Sequence, residues 1–399
     1  MLIENSYDAV IAGGGPAGLS AARAAAERGL RVLLVEQHAA IGVPMRQGGA
    51  MAIADMVGLG VPPHLYHPIS RARVFGPSTH ARFSFDEPII CVPDVAALDQ
   101  HLAIRAGTAG AIIRPGTEMI EIVHDLDDTA SVLGVQLRAP GGSIEFVSCR
   151  LVIDATGFPS TLALKGGVAL TYRRAQVASQ ADLYAPHYPQ DECALIVGGA
   201  IAPAGYAWVF PYGGTRVRVG VKGPTVKAAD TALALLLDKH EPLRAAFKGA
   251  APLEVRTTAI PVEDGAQPLV GAGTLATGDA AGQASPLAGR GGSFAPYAGR
   301  LAGQVAAQAI QQGDVSATAL VAYDVAWRQG YGRNLRLAHA VDKALSAYSD
   351  GQWDHAIARL AALTPPQYAR FLCSDLSRSL ARRIVARRPH LGGALMSRD

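Results

Sequence analysis

Six residues near the amino terminus, Gly13-Gly14-Gly15-Pro16-Ala17-Gly18, narrow the choice of fold more than any other part of the chain. The apolar run Tyr7–Ala12 before them has the length and composition of a strand buried on both faces. After them an Ala-rich segment, Pro16 to Arg28, predicts a helix closed by Gly29, and Arg31–Val35 predicts a second buried strand. Together they form a βαβ unit with a GxGxxG turn. Gly13 permits the tight turn, Gly15 lets a pyrophosphate approach the backbone, and Gly18 lets helix and strand pack closely. The helix start at Pro16 and Ala17 presents unpaired N–H groups and a positive dipole end to phosphates. Glu36 stands 23 positions after Gly13, at the end of the second strand, where a carboxylate accepts from ribose hydroxyls, and Gln37 adjoins it. The competing reading, a structural glycine turn with a surface glutamate, explains fewer of these coincidences.

This fingerprint does not separate FAD from NAD. A second motif does. Thr277-Gly278-Asp279-Ala280-Ala281-Gly282 follows the strand that opens at Thr274–Thr277, and Pro286-Leu287-Ala288-Gly289-Arg290-Gly291-Gly292 follows it. Asp279 at a strand end suits the ribityl chain of FAD. The glycine-rich segment, with Pro286, Gly289, Gly291 and Gly292, opens a helix whose N–H groups would face the flavin pyrimidine and stabilise negative charge there. The alternative is an ordinary loop before a helix. Ala155-Thr156-Gly157, after the strand-like Leu151–Asp154, is a weaker turn of the same kind.

The expected fold is therefore α/β: a Rossmann-type FAD-binding domain with an inserted antiparallel-sheet substrate domain and a helical C-terminal region. Residues 1–60, 94–164 and 262–318 are assigned to the FAD-binding domain, 61–93 and 165–261 to the substrate domain, and 319–399 to the helical region. Between Gly60 and Cys91 the sequence reads as Pro-rich loops with a strand at Ala81–Phe85. Ala96–Ala109 reads as helix. Glu118–Val123, Ser131–Leu137 and Ile144–Val147 read as strands, with Pro140-Gly141-Gly142 as a turn. Ala194–Val197, Tyr206–Phe210 and Val217–Val221 suggest the inserted sheet. A long helix from Ser293 to Gln312 precedes eighty helical residues broken at Pro365-Pro366.

Composition removes other classes. A net charge of +3 lacks the concentrated basic face of a nucleic-acid binder. The four cysteines, Cys91, Cys149, Cys193 and Cys373, have no CxxC spacing, and the histidines show no metal-ligand spacing. His64 and His67, the only close histidine pair, read as surface loop. No leader pattern or span of about 20 apolar residues is visible, so a cytoplasmic protein, or one peripheral on a membrane, is expected.

Several strings then match one family in order. The chain resembles the geranylgeranyl reductase family, within the larger group of flavoproteins built like p-hydroxybenzoate hydroxylase. The likeness rests on the N-terminal fingerprint, Val43-Pro44-Met45-Arg46-Gln47-Gly48-Gly49, Asp154–Gly157, Gly205-Tyr206-Ala207-Trp208-Val209-Phe210-Pro211 and Gly278–Gly292, and covers residues 7 to about 300. It implies cofactor contacts from Arg46 and Gly48, and flavin-facing or substrate-facing roles for Gln47, Tyr206 and Trp208. It also implies a mostly apolar tunnel beside the flavin. Strand alternation puts Tyr206, Trp208 and Phe210 on one face, as plain core or as the wall of a lipophilic site. Members that reduce prenyl chains often carry a cysteine where this chain has Gln47, and an amide is a poor proton donor. They also commonly have an arginine where Val95 precedes the Leu98-Asp99 pair.

Two activities suit this reading. One is reduction of C=C bonds in an isoprenoid or other apolar substrate, by hydride from reduced flavin N5. The other is FAD-dependent hydroxylation of an aromatic or natural-product substrate. A third class, an FAD or lipid carrier without turnover, fits the complete flavin-facing segment less well. Only one nucleotide fold is visible, because Gly271-Ala272-Gly273 precedes a strand instead of following one. The electron donor is thus open among NADPH, ferredoxin and a reductase protein. The segment Leu376–Arg388 reads as a docked terminal helix in preference to a basic helix lying on a membrane.

Overall fold

The computed structural model describes residues 6–45, 49–125, 131–160, 162–166, 168, 175–261, 268–287 and 293–385. Its first sheet is built on Ser6–Ala12, which pairs in parallel with Val32–Glu36 on one side and Ile144–Asp154 on the other. Ile112–Pro115 and Thr274–Ala276 extend the parallel array at its two ends. Ala9, Val10, Ile11, Leu33 and Leu34 have no exposed surface, as continuous apolar runs require when helices cover both faces. Ile144–Asp154 is one strand, not two: its first half pairs antiparallel with Val132–Arg138, its second half parallel with Ser6–Ala12.

On one face the Pro16–Ala26 helix lies between Val95–Thr108 and the long helix Phe294–Gln312. Contact with the long helix is backbone to backbone. A Cβ on Gly299 would lie 1.9 Å from the Ala17 carbonyl oxygen, and one on Gly303 2.3 Å from that of Ala21.

The second sheet has seven strands in the order Ala251–Pro261, Ala175–Tyr184, Arg216–Gly223, Ala202–Gly213, Glu192–Gly198, Arg71–Phe75 and His80–Ser84. Residues 60–91, expected as Pro-rich loops with one strand at Ala81–Phe85, supply two of these strands: His80–Ser84 matches the expected one, and Arg71–Phe75 was not foreseen. They also supply Tyr66–Ile69 and Ile90–Pro93 of a small third sheet. His67 is thereby a strand residue whose Nε2 lies 2.6 Å from the Gln190 carbonyl oxygen. Pro77 and Pro88 fall between strands, and Pro68 and Pro93 sit within two short ones of the three-stranded sheet, so the prolines that suggested loops do not interrupt a long ladder.

One face of the second sheet, carrying Val217, Val219 and Val221, is covered by the helix Val226–Lys239. The other carries Tyr206, Trp208, Phe210 and Tyr212 and packs on the C-terminal helices Tyr331–Leu345, Asp350–Ala361, Pro365–Leu372 and Arg378–Ile384. Pro365 and Pro366 open a helix capped by Thr364 and Gln367. Leu376, Leu380 and Ile384 are buried in this core, so the apolar stripe of the last described helix is docked on the protein. Among the described residues no helix is long and apolar enough to cross a membrane.

Candidate functional site

The glycine turn has the geometry its sequence requires. Gly13 has φ 108°, and a Cβ there would meet the Ala155 carbonyl oxygen at 2.2 Å. Gly18 is packed against the Gly13 carbonyl oxygen, 2.0 Å from where its Cβ would be. Gly15 differs from both, since a Cβ there would meet nothing within 4 Å. Its small size therefore serves something outside the folded chain, and a pyrophosphate on the helix N-terminus fits that space.

Beside the turn opens a cavity of about 550 Å3, lined by Gly13, Glu36, Gln37, Thr117, Met119 and Thr156 among others. This is a size suited to a small-molecule or cofactor fragment. Glu36 projects here with both oxygens engaged: Oε2 accepts from the Gly14 N–H (2.7 Å) and Oε1 from the His38 N–H (2.9 Å). The His38 Nδ1 also meets Oε1 at 2.5 Å, so Oε2 is the oxygen that keeps a second acceptor site for a hydroxyl. On the other side, Asp154 fixes the Ala155-Thr156-Gly157 turn. Its Oδ1 accepts from the Thr156 N–H (2.9 Å) and hydroxyl (2.7 Å), and its Oδ2 from the Ser160 hydroxyl.

The second motif begins on Gly278, at φ 68°, where a Cβ would lie 2.8 Å from Ala17 Cβ. The Gly278 N–H donates to Gln283 Oε1 (2.7 Å), and the Gln283 amide is held by the buried Tyr323 hydroxyl at 3.0 Å. Asp279 is half-buried, and burial alone pushes its carboxyl up to about 6. No described residue hydrogen-bonds to that carboxylate. An acidic group placed in poor solvent with no internal donor suits a ligand that brings hydroxyls, as the ribityl chain of FAD does.

From Ser285 to Leu287 the same segment is held by the second sheet and the C-terminal helices. The Pro286 carbonyl accepts from Lys222 Nζ (3.0 Å), and the Leu287 carbonyl from the Ser374 hydroxyl (3.0 Å). The Lys222 ammonium also binds Asp342 Oδ1 at 3.1 Å and lies 5.3 Å from the Tyr206 ring centre. Beside it is a narrow apolar recess of about 50 Å3, lined by Tyr206, Leu287, Asp342, Trp353, Phe371 and Ile384 among others. Burial holds the Tyr206 hydroxyl well above the usual phenol range, so it stays protonated. Trp208 is 8 % exposed and packs over Gly220, and its indole N–H has no partner.

Further along this face, Arg218 Nε and Nη2 grip Asp182 (2.8 and 3.2 Å), and Nη2 also approaches Met45 Sδ at 3.0 Å. Met45 leads into Arg46, Gln47 and Gly48, which, like Gly289, Gly291 and Gly292, lie outside the described residues. The fold thus gathers Gly13, Gly15, Pro16, Ala17, Gly18, Glu36, Gln37, Ala155, Thr156, Gly157, Gly278 and Asp279 around one crevice at the strand ends. Pro286 continues from it toward Tyr206, and Trp208 sits deeper in the core.

A family model for FAD dependent oxidoreductases matches residues 8–205, and one for the geranylgeranyl reductase catalytic domain matches residues 175–248. A digeranylgeranylglycerophospholipid reductase of Methanopyrus kandleri is 30% identical over 395 residues, 96% of this chain and 97% of that protein. The chain belongs to the geranylgeranyl reductase family of FAD-dependent oxidoreductases. Another member, from Methanothermobacter thermautotrophicus, is 33% identical over 87% of this chain and 90% of its own. The fold is shared with a geranylgeranyl bacteriochlorophyll reductase-like protein of Thermoplasma acidophilum (TM-score 0.86, 24% identity, 98% of both chains).

Membership makes FAD the cofactor. Gly15 and the Pro16 helix start would suit its pyrophosphate, Glu36 its ribose and Asp279 its ribityl chain, by the open space and acceptor oxygens described above. Reading the sequence quoted Asp154 as the start of the Asp154–Gly157 string without giving it a role, and missed Gln283, Tyr323 and Lys222. Lys222 left a trace, a cation in the alternating strand Arg216–Gly223 on the face opposite the three valines; the others gave none.

Proposed function

We propose that this protein reduces C=C bonds in the isoprenoid chains of a lipid, with segments 61–93 and 165–261 forming its substrate domain. The observation that carries this reading is the apolar recess at Tyr206. It opens beside the Pro286–Leu287 segment, with Leu195, Val197, Gly205 and Tyr206 coming from the stretch that matches the reductase catalytic domain and the C-terminal helices supplying most of the rest. Its mostly apolar lining suits a hydrocarbon chain more than a ring bearing polar groups. Reduced FAD supplies hydride when bound. The chain's own residues exclude water from the recess and keep Tyr206 protonated. Gln47, which follows Met45, is assigned to the flavin side of the substrate. The digeranylgeranylglycerophospholipid reductases named above support a glycerophospholipid substrate bearing geranylgeranyl chains, delivered from a membrane surface. The donor that re-reduces FAD is a nicotinamide nucleotide, a ferredoxin or a reductase protein.

The test is anaerobic. Dithionite-reduced protein is mixed with digeranylgeranylglycerophospholipid in detergent, and the product is read by mass spectrometry. Two hydrogens gained per reduced bond are expected. A product carrying one added oxygen after admission of air would replace this reading with the hydroxylase.

A further inference from the structure

The segment that follows Asp279 is anchored at its two ends to different parts of the molecule. Its beginning is tied to the nucleotide half: Gly278 to Gln283, and Gln283 to Tyr323 on the helix Ala317–Gln329. Its end is tied to the opposite half by Lys222 from the second sheet and Ser374 from the C-terminal helices. Lys222 is 1 % exposed, an unusual place for an ammonium. Burial opposes its charge, while Asp342 favours it. An ion buried this way is a poor source of stability, since an apolar residue of similar volume would serve as well. What an apolar residue could not do is hold the Pro286 carbonyl in one direction.

The same ion pair borders the recess. Asp342, Tyr206 and Leu287 all line it, and Lys222 touches the first two and the neighbour of the third. An alkyl chain in the recess lies against Asp342, which holds the Lys222 ammonium, and against Leu287, the neighbour of the carbonyl that the ammonium also holds.

We propose that Lys222 is a positioning residue: through the Pro286 carbonyl it sets the flavin-flanking segment, and through Asp342 it reports to that segment whether the recess holds an alkyl chain. The occupant rests on the reading given under Proposed function; the clamp itself does not. The device favours hydride delivery when a chain is in place and leaves the segment relaxed when none is.

The test uses FAD-loaded full-length protein and follows the flavin's visible absorbance and fluorescence. Ligand-free Lys222→Met is expected to keep FAD within about threefold of the parent affinity, because Gly15 and Asp279 are untouched, yet to show a displaced flavin spectrum. Adding digeranylgeranylglycerophospholipid in detergent micelles perturbs the parent spectrum, and this response falls about tenfold or more in the variant. Its kcat falls by a similar factor with little change in KM, as a misplaced segment predicts. Asp342→Asn, which keeps the lysine and its carbonyl contact, gives a smaller loss of the lipid response and covers the case that Lys222→Met does not fold. A parental flavin spectrum in ligand-free Lys222→Met, or a parental lipid response in either variant, overturns the proposal. A displaced spectrum in a protein whose parent ignores the lipid removes the substrate reading and the reporting role, and keeps the positioning one.

Discussion

Gly15 and Gly18 are three residues apart, yet they answer to different partners, and substitutions separate them. The Cβ of Gly15→Val would have no other part of the chain within 4 Å, so the apo protein should unfold within a degree or two of the parent while FAD retention is lost by about 100-fold or more; equilibrium dialysis against FAD checks this. Gly18→Ala drives a methyl into the Gly13 carbonyl and should cost about 1–3 kcal/mol in chemical denaturation, before any question of cofactor. Asp279 predicts a pH effect. Its carboxyl, at about 6 without ligand, must be ionised to accept two hydroxyls well, so FAD affinity should fall as pH drops below about 6. Asp279→Asn should weaken binding at pH 8 and abolish that dependence. Asp99 is a stability case. Burial first, and Glu36 second, push its carboxyl up to about 8. The folded state thus binds its proton more tightly than the unfolded one, so the cost of ionising it is absent below about pH 4 and complete above about pH 8. Asp99→Asn should remove a loss on the order of 3 kcal/mol across that window, measured by urea titrations at several pH values.

Among elements, the pairing of Pro16–Ala26 with Phe294–Gln312 depends on two glycines that lie almost against carbonyl oxygens. Gly299→Leu should separate the helices and destabilise by about 3 kcal/mol or more, read as a lower urea midpoint with loss of bound flavin. Both helices were legible in the sequence because alanine and glycine punctuate them. Their mutual contact was not, since nothing local says which small residues meet. Ser6–Ala12, Val32–Glu36 and the second half of Ile144–Asp154 were equally legible, being apolar on both faces, whereas the short, partly exposed Ile112–Pro115 at the sheet's edge was not. Within residues 66–93 the alternating Ala81–Phe85 was legible, but the strands Tyr66–Ile69, Arg71–Phe75 and Ile90–Pro93 were not: the prolines lie between strands and in short strands of a small sheet, where a missing N–H costs no long ladder, and proline count alone reads as loop. In the aromatic strand, alternation correctly put Tyr206, Trp208 and Phe210 on one face. It could not say that the C-terminal helices cover that face, because the pairing spans more than a hundred residues. The last described helix shows the same limit. Its arginine-rich sequence suits a membrane surface, yet Leu380 and Ile384 are spent inside the protein, and Arg383 donates to Gln367 Oε1 at 3.0 Å.

For the whole molecule, the crevice lies at the strand ends of the first sheet, and Pro286 and Leu287 form the seam that ties this half to the second sheet and the C-terminal helices. Motifs that touch the cofactor announce themselves, because backbone approach demands glycine. Residues that hold the seam, such as Lys222 and Ser374, are chosen by distant partners and have no spacing to find. The purified protein should be yellow, and a colourless preparation that takes up no FAD would contradict the site as drawn.

That the helix Phe294–Gln312 completes the amino-terminal βαβ unit has a consequence for biosynthesis. The first sheet's central strands come from residues 6–12, 144–154 and 274–276, and the helix that clamps Pro16–Ala26 comes later still. On the ribosome the glycine turn is made early, but its partner helix is synthesised only when roughly three quarters of the chain has been translated, and it leaves the exit tunnel later still. Until then the nascent chain carries an apolar helix face with nothing to cover it, a state in which chaperones are engaged. Chains halted near residue 270 should therefore be held by such factors and take up no flavin, whereas chains released after the long helix should acquire it.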